Sequence, residues 1–228
     1  MKLEVIATTL KEAIDAERAG ADRIELVTGI LEGGLTPSLA LIEEVSNTVS
    51  IPVNVMIRPH SKNFNYTNED IKVILRDVEL ISKTNAEGIV FGSLTKDKRI
   101  DEELLKKVIK LKGSKKLTFH RAFDELTDQE LGLDILMKYS VDTILTSGGK
   151  KSAYDGINKL NNLVKLLNSR IKILAGSGLN LSNIHDFLDN SSVDEIHLGS
   201  GVKYNSSNLD EINPVSIKFI KDHIKFKN

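Results

Sequence analysis

The chain has 228 residues, of which 40% are hydrophobic and 28% charged, and its 31 basic and 32 acidic residues leave a formal net charge of −1. This balance provides no basic surface of the kind that nucleic acid or an anionic membrane binds, so we expect neither partner. The chain contains no cysteine, which excludes disulfides, thiolate metal sites and a cysteine nucleophile.

The N-terminal segment MKLEVIATTLKEA does not resemble a signal peptide. Glu4, Lys11 and Glu12 interrupt the apolar run that such a peptide requires. Later in the chain, no stretch approaches the roughly 20 consecutive apolar residues of a membrane-spanning helix. We therefore expect a cytoplasmic protein that does not bind a membrane.

Eight short apolar runs rich in β-branched residues recur along the chain, and segments of helical periodicity separate them. The runs predict β-strands over residues 2–7, 23–27, 53–58, 88–93, 117–123, 143–149, 172–178 and 195–201. Eight strands that are each followed by a helix predict a single-domain (β/α)8 TIM barrel over residues 1–228. A doubly wound open sheet is the alternative that the same alternation allows.

Helix start signals follow most of these strands. Proline at a first helical position is predicted in Thr36-Pro37 and in Asn213-Pro214, and Thr127 with Glu130 fits a capping box. Further N-caps are predicted at Thr67, Asp101 and Asn180. The polar stretch 202–213 after the last strand predicts a loop, either a mobile lid or a plain connection.

Polar side chains occupy one face of several strands near their C-terminal ends, where a parallel barrel opens to its ligands. Because side chains alternate across a strand, Phe119 faces the helices while Thr118 and His120 face the interior. Arg121 is expected to face the helix layer, and Asp124 to cap the turn that follows. The same alternation gives an inward set of Glu25, Arg58, His120, Thr146 and His197, with Asn54 and Thr118 deeper in the barrel.

This inward set suits acid–base chemistry on a carbonyl or a sugar. We predict Glu25, His120 and Arg58 as catalytic residues, the first two as acid–base groups and Arg58 as the group that orients an anionic substrate. Thr146 and His197 are predicted to hydrogen-bond the ligand. Because an isolated buried charge is costly, Glu25 and Arg58 should pair or bind a charged ligand. A polar plug that only fills the barrel is the alternative.

Glycine-containing turns follow the last three strands. Free N–H groups in such turns can hold an anion, and barrels often bind phosphate after strands seven and eight. We therefore predict a small-molecule or anionic ligand, bound by Gly148, Gly176, Ser177, Gly178, Gly199 and Ser200. Tight turns without a ligand are the alternative. The turn at residues 33–38 borders the mouth but predicts no phosphate site.

Several stretches together resemble the CutC family, whose members are commonly called copper homeostasis proteins. They lie between about residue 3 and residue 201 and read RIELV, GGLTPS, VNVMIRP, FNY, GIVFGSL, LTFHRAFD, ILTSGG and EIHLGS. The resemblance implies a TIM barrel, a cytoplasmic location, a homo-oligomer and a role in copper homeostasis with copper ion binding.

The copper ligands are the point at which this chain departs from the family. Cysteines are the family's proposed ligands, and a cysteine often follows RIEL where this chain has Val27. Cu(I) prefers thiolate and thioether ligands. His120, His197 and Met56 could share the cavity, but they form no compact motif. The sequence therefore identifies no metal site and no cofactor, and copper is implied by the resemblance alone.

Overall fold

Eight parallel strands close into a barrel in the computed structural model, which describes residues 1–227. Each strand pairs with its neighbours in the chain, and the last pairs with the first. This arrangement confirms the predicted (β/α)8 TIM barrel and excludes the open sheet. Asn228, the last residue of the predicted domain, lies outside the described residues. The strands are β1 Lys2–Ala7, β2 Arg23–Leu26, β3 Val53–Met56, β4 Gly88–Phe91, β5 Lys116–Phe119, β6 Thr143–Thr146, β7 Lys172–Gly176 and β8 Glu195–Leu198.

A layer of α-helices surrounds the barrel, and short 3₁₀ turns follow some strands. Among the described residues, none of the helices combines the length and the apolar character needed to cross a membrane. The 3₁₀ turns cover Ile30–Glu32, Arg121–Glu125, Ser200–Val202 and Tyr204–Ser206. The α-helices are α1 Leu10–Ala19, α2 Leu39–Thr48, α3 Asn68–Ile81, α4 Glu102–Leu111, α5 Gln129–Lys138, α6 Ile157–Leu167, α7 Ile184–Asn190 and α8 Pro214–Lys227.

Three of the predicted helix starts are confirmed. Thr67 caps α3 in a full capping box with Asp70. Asp101 caps α4, because its side chain accepts the backbone N–H of Leu104 in the first turn of the helix. Helix α8 begins at Pro214, where the missing N–H of proline has no intrahelical partner to lose.

The other three predicted starts are wrong by one to a few residues. Helix α5 is capped by Asp128, whose carboxylate accepts from the Leu131 N–H, and not by Thr127. Helix α2 is capped by Ser38. Thr36 bonds Arg58 instead: its N–H donates to the Arg58 carbonyl, and its hydroxyl accepts the Arg58 N–H. The Asn180 side chain closes a turn onto Ser182 before α7 begins, and Asn183 takes the N-cap position.

The alternation of side chains along the strands separates two parts of the core. Leu3, Val5, Ile24 and Phe119 face the helix layer and are completely buried. The alternate positions of each strand point into the barrel. Several of these inward residues are polar, namely Glu4, Glu25, Asn54, Thr118 and His197. A polar barrel interior beneath an apolar outer layer positions the site described next.

Candidate functional site

A cavity of about 440 Å³, lined by polar and apolar side chains, opens where the strands end. The loops after the strands form its rim, and the inward side chains of the barrel form its floor. The structure therefore brings together most of the residues that the sequence predicted for a ligand site. Those that line the cavity are Glu25, Arg58, His120, Ser177, Gly178, His197, Gly199 and Ser200.

The other predicted residues, Thr146, Gly148 and Gly176, do not line the cavity. The Thr146 hydroxyl is buried and donates to Asp124, while it accepts the N–H of Gly148 at 2.9 Å. Gly176 packs against the lining residues, and a Cβ there would lie 2.6 Å from a side-chain atom of Leu145 and 3.1 Å from one of His197. The role of these residues in ligand binding stays a prediction.

His197 is held between two carboxylates inside the barrel. Its Nδ1 lies 2.7 Å from Oε1 of Glu4, and its Nε2 lies 3.6 Å from Oε2 of Glu25. The three residues come from β8, β1 and β2, which are neighbours in the closed sheet, and all are buried. One ligand atom from each lies within 4.8 Å of the others, so the group has the size needed to hold a metal ion.

An arginine at the start of β2 neutralises Glu4 from below. The Arg23 guanidinium donates to Glu4 through Nε and to Glu195 through Nη2. Burial alone would raise the pKa of Glu4, but the charge of Arg23 and the hydrogen bond to His197 lower it to about 2. Glu4 is therefore an ionised carboxylate across the neutral pH range.

Glu25 lacks such a cationic partner. Its Oε1 is buried and makes no hydrogen bond with any described residue. Burial raises the pKa of Glu25 to about 7, against the attraction of His197. For His197, burial favours the neutral ring, but the neighbouring carboxylates outweigh it and raise the pKa. Near neutral pH a proton is therefore retained within the Glu25–His197 pair.

His120 has one defined tautomer. Its Nδ1 accepts the Ala122 N–H at 3.1 Å, so in the neutral ring the proton is on Nε2. The ring is 3% exposed, and burial together with the charge of Arg58 lowers the pKa of His120 to about 3. Nε2 is buried without a partner among the described residues. His120 lines the cavity and carries a neutral N–H donor, which suits hydrogen bonding rather than the predicted acid–base role.

Arg58 does not pair with Glu25, contrary to one of the two predicted arrangements. Its Nη1 donates to the carbonyl oxygens of Glu32, Gly33 and Gly34, and its Nη2 donates to that of Ser61. The turns after β2 and β3 place these carbonyls around the two Nη groups, which need no carboxylate, while the buried Nε has no partner among the described residues. The guanidinium also lies 4.8 Å from the ring centre of Phe64, an aromatic residue in contact with His120.

Asp124 organises the turn after β6, and the expectations for Asp124 and Arg121 were both wrong. The Asp124 carboxylate accepts from the backbone N–H groups of Ser147 and Gly149, at 3.2 and 3.0 Å, and from Arg121 Nε at 2.8 Å. Arg121 lines the cavity instead of facing the helices. Because these two N–H groups already donate to Asp124, they are not available to bind an external anion.

The turns after β7 and β8 differ from the turn after β6. Within the described chain, the N–H groups of Gly178, Gly199 and Ser200 donate to no other residue. Ser177 has a φ of +85°, a left-handed backbone conformation that residues other than glycine rarely adopt. Its hydroxyl donates to the Lys151 carbonyl at 3.0 Å, which holds the turn in place.

Sequence reasoning missed Glu4 as a member of the site. The alternation in β1 already contained the signal, because Leu3, Val5 and Ala7 form an apolar face and Glu4 lies on the opposite, inward one. The 3₁₀ turn Arg121–Glu125 carried no such local signal. The bonds that join Arg121 and Asp124 to the turn after β6 connect segments more than twenty residues apart.

A model of the CutC family matches residues 1–202 of the chain. The chain is 37% identical to the mouse and human proteins named copper homeostasis protein cutC homolog, over 91% of this chain and 78% of each relative. It is 35% identical to a family protein CutC of Aliivibrio fischeri, over 99% of both chains.

The similarity to the CutC family extends to a solved structure. The crystal structure of a CutC protein from Streptococcus agalactiae is 28% identical, with a TM-score of 0.82 over 86% of this chain and 97% of that one. Phosphoribosyl anthranilate isomerase from Thermococcus kodakaraensis is 18% identical with a TM-score of 0.65 over 98% of both chains, and this likeness shows the barrel fold alone.

Proposed function

The chain belongs to the CutC family, and we propose that it functions in copper homeostasis by holding Cu(II) at the cluster of Glu4, Glu25 and His197. The observation that carries the proposal is the unpartnered Glu25 Oε1, buried beside an imidazole and a second carboxylate. The names of the mouse and human relatives support copper as the ion.

The donors favour the divalent over the monovalent ion. Imidazole and carboxylate ligands suit Cu(II), whereas Cu(I) prefers thiolate and thioether sulfur. The chain has no cysteine, and Met56 is the sulfur-containing side chain in the described cavity wall. We therefore expect Cu(II) to bind more tightly than Cu(I).

The charges of the cluster also accommodate a divalent cation. Glu4 and Glu195 together carry one negative charge more than Arg23 neutralises. A cation that replaces the proton retained between Glu25 and His197 adds one further positive charge to this region. Cation binding therefore neutralises the group and releases a proton, which predicts tighter binding as the pH rises.

Calorimetric titration with Cu(II), in the presence of a weak competing chelator, tests the proposal. We expect one ion per chain, and a loss of at least about 10-fold in affinity for Glu25→Gln and for His197→Gln, because each removes a ligand. An anaerobic Cu(I) titration against a competing chelator provides the comparison, and His120→Ala should leave the Cu(II) affinity unchanged.

The matched control is a pair of histidines on the helix layer. His185 and His223 stack with their ring centres 4.0 Å apart, and imidazoles near the surface can bind copper adventitiously. His223→Gln should leave the affinity unchanged. If His223→Gln abolished binding while Glu25→Gln did not, copper would be held on the surface and the barrel site would be excluded.

A second candidate function is an enzyme that uses acid–base chemistry on a small anionic or phosphorylated, sugar-like metabolite. It is favoured by two buried groups of opposite character on one cavity, the acceptor Glu25 Oε1 and the donor His120 Nε2–H, neither of which has a partner among the described residues. Glu25 would move the proton, while His120 would polarise the substrate oxygen. Turnover of sugar phosphates in chelator-treated protein, abolished by Glu25→Gln, is the expected result. A panel without turnover would count against this candidate.

The assembly and location of the protein remain part of the proposal. The family resemblance implies a homo-oligomer in the cytoplasm, and analytical ultracentrifugation of the purified chain tests the first of these. A sedimentation coefficient of a 25.2 kDa monomer at micromolar concentration would contradict it.

A further inference from the structure

We propose that the cavity wall formed by His120, Arg121 and the turns after β7 and β8 binds the phosphate group of a small polar molecule. This wall is distinct from the proposed copper ligands, which are supplied by β8, β1 and β2. Three independent features of the wall lead to the same ligand chemistry.

The first feature is the fixed donor on His120. The Ala122 N–H occupies Nδ1, so the proton is on Nε2, and this buried N–H finds no acceptor among the described residues although the His120 ring lines the cavity. A buried donor without an acceptor destabilises the folded protein. A ligand that presents an oxygen acceptor removes this cost, whereas a metal cation cannot accept the hydrogen bond.

The structure reserves space for this ring. A Cβ on Gly92 would lie 2.5 Å from His120 Nδ1, so glycine at this position allows the imidazole to stand where it does. Phe64 packs on the ring with 4.8 Å between the ring centres. His120 is therefore held by packing as well as by its hydrogen bond.

The second feature is the guanidinium of Arg121, in which only some of the N–H groups make hydrogen bonds. Asp124 binds its Nε, and the Ser147 hydroxyl binds its Nη2 at 3.2 Å. These bonds hold the group at the cavity, while Nη1 donates to no described residue. The Arg121 side chain is 42% exposed, so an incoming anion can reach it. A planar guanidinium is well matched to phosphate oxygens.

The third feature is the backbone of the two turns. The N–H groups of Gly178, Gly199 and Ser200 are not used by other described residues, and the strained backbone of Ser177 adjoins them. A Cβ on Gly178 would lie 2.7 Å from the Ser152 hydroxyl, so this turn packs closely on its neighbour. Strained turns with free N–H groups are typical of anion sites.

These features favour phosphate over a cation or an apolar ligand. A side-chain N–H, a guanidinium and backbone amides are all donors, and a phosphate group offers three oxygens to accept them. The cavity volume of about 440 Å³ lies within the range of small-molecule sites. The phosphate would be one end of the ligand, since the cavity extends from this wall to Glu25.

Titration calorimetry with inorganic phosphate tests the proposal on metal-free, chelator-treated protein, with chloride at equal ionic strength as the reference. We expect saturable binding of one phosphate per chain. His120→Phe and Arg121→Gln should each weaken it by about 10-fold or more, because each removes a hydrogen bond to a charged group. Arg76→Gln, which removes an exposed arginine from α3, is the matched control and should have no effect.

A measurement on the unaltered protein keeps the test independent of variant folding. The side-chain ¹⁵N resonances of His120 should report the Nε2–H tautomer, and phosphate should shift the Nε2 signal. Saturable binding that neither variant weakens, with no shift at His120, would indicate an adventitious ion only and would overturn the proposal. Retained Cu(II) binding by His120→Phe separates this result from the proposed copper function.

Discussion

His197 is joined to Glu4 across the seam at which the barrel closes. Their side chains meet at 2.7 Å, and the strands that carry them, β8 and β1, are the last and first of the sheet. Closure of the fold therefore assembles the cluster, because β1 also pairs with β2, which carries Glu25 two residues beyond the Arg23 that is in register with Glu4. The stability of the barrel and the chemistry of the cavity depend on the same side chains.

The buried carboxyl of Glu25 should make stability depend on pH. Its pKa is raised by burial from 4.5 to about 7, so between these values the folded protein binds more protons than the unfolded chain. The stabilising contribution is complete below pH 4.5 and is lost as the pH rises towards 7, by at most about 3 kcal/mol. The raised pKa of His197 acts in the same direction. Glu25→Gln should flatten this dependence in urea denaturation from pH 5 to pH 8, with chelator present.

The control for this prediction is Glu44→Gln, which removes an exposed carboxylate from α2. It should retain the wild-type dependence on pH. An equally steep loss of stability in Glu25→Gln and in the wild-type protein would show that another group is responsible.

Asp124→Ala should destabilise the protein by about 2–4 kcal/mol. The carboxylate satisfies the N–H groups of Ser147 and Gly149, and its removal leaves these donors and Arg121 without their acceptor. Thermal and urea denaturation measure the loss. Asp97→Ala is the matched control, because this aspartate is exposed and pairs with Arg99 at 3.5 Å, and it should change stability by less than about 1 kcal/mol.

The barrel and its inward face were predictable because they depend on local patterns. Side chains alternate along any strand, so His197 and Ile196 face opposite sides of the sheet whatever the strand's place in the barrel. A capping box such as Thr67 with Asp70 is complete within four residues. The first predicted strand matches β1, whereas the other seven were predicted too long at their C-terminal ends, where residues such as Ile57 still bond the neighbouring strand but lie outside the assigned strand.

The partners of the inward side chains were not predictable in the same way. The Arg58 Nη1 group donates to backbone carbonyls of a glycine turn 24 to 26 residues away, and no residue pattern specifies where a carbonyl will point. The same limit applies to Asp124, whose acceptor role depends on the path of the turn after β6. Likewise, the tautomer of His120 depends on the 3₁₀ turn that begins directly after it.

Gly92→Ala should displace His120 without altering any group proposed to touch the ligand. The new Cβ would lie 2.5 Å from Nδ1 and 2.6 Å from Cε1 of the ring, and overpacking of this kind costs about 1–3 kcal/mol. We expect a weaker response to phosphate in calorimetry and an altered ¹⁵N signal of His120. Gly113→Ala tests backbone strain alone, since its φ is +60° and its Cβ would meet nothing within 4 Å. It should lower stability slightly and leave phosphate binding unchanged.

Lys203 pins the loop after β8, and its removal should cost far more than that of an exposed lysine. The loop at 202–213 carries a β-bridge between Lys203 and Ile212, and it contributes Asn208 to the cavity wall. The Lys203 ammonium is buried and bonds both Glu12 on α1 and the Asn208 carbonyl. Lys203→Met leaves the Glu12 charge buried without its cation, so we expect a loss of about 3–5 kcal/mol in urea denaturation.

A double-mutant cycle separates the pair from the packing of the loop. Adding Glu12→Gln to Lys203→Met should restore part of the lost stability, because it removes the unpaired charge while keeping an acceptor for Thr8. Lys11→Met is the control, since this exposed lysine pairs with Asp15 and Glu211 at the surface and should change stability by less than about 1 kcal/mol. If Lys203→Met cost no more than Lys11→Met, the loop would not depend on the buried pair, and a freely opening lid would become the better description of residues 202–213.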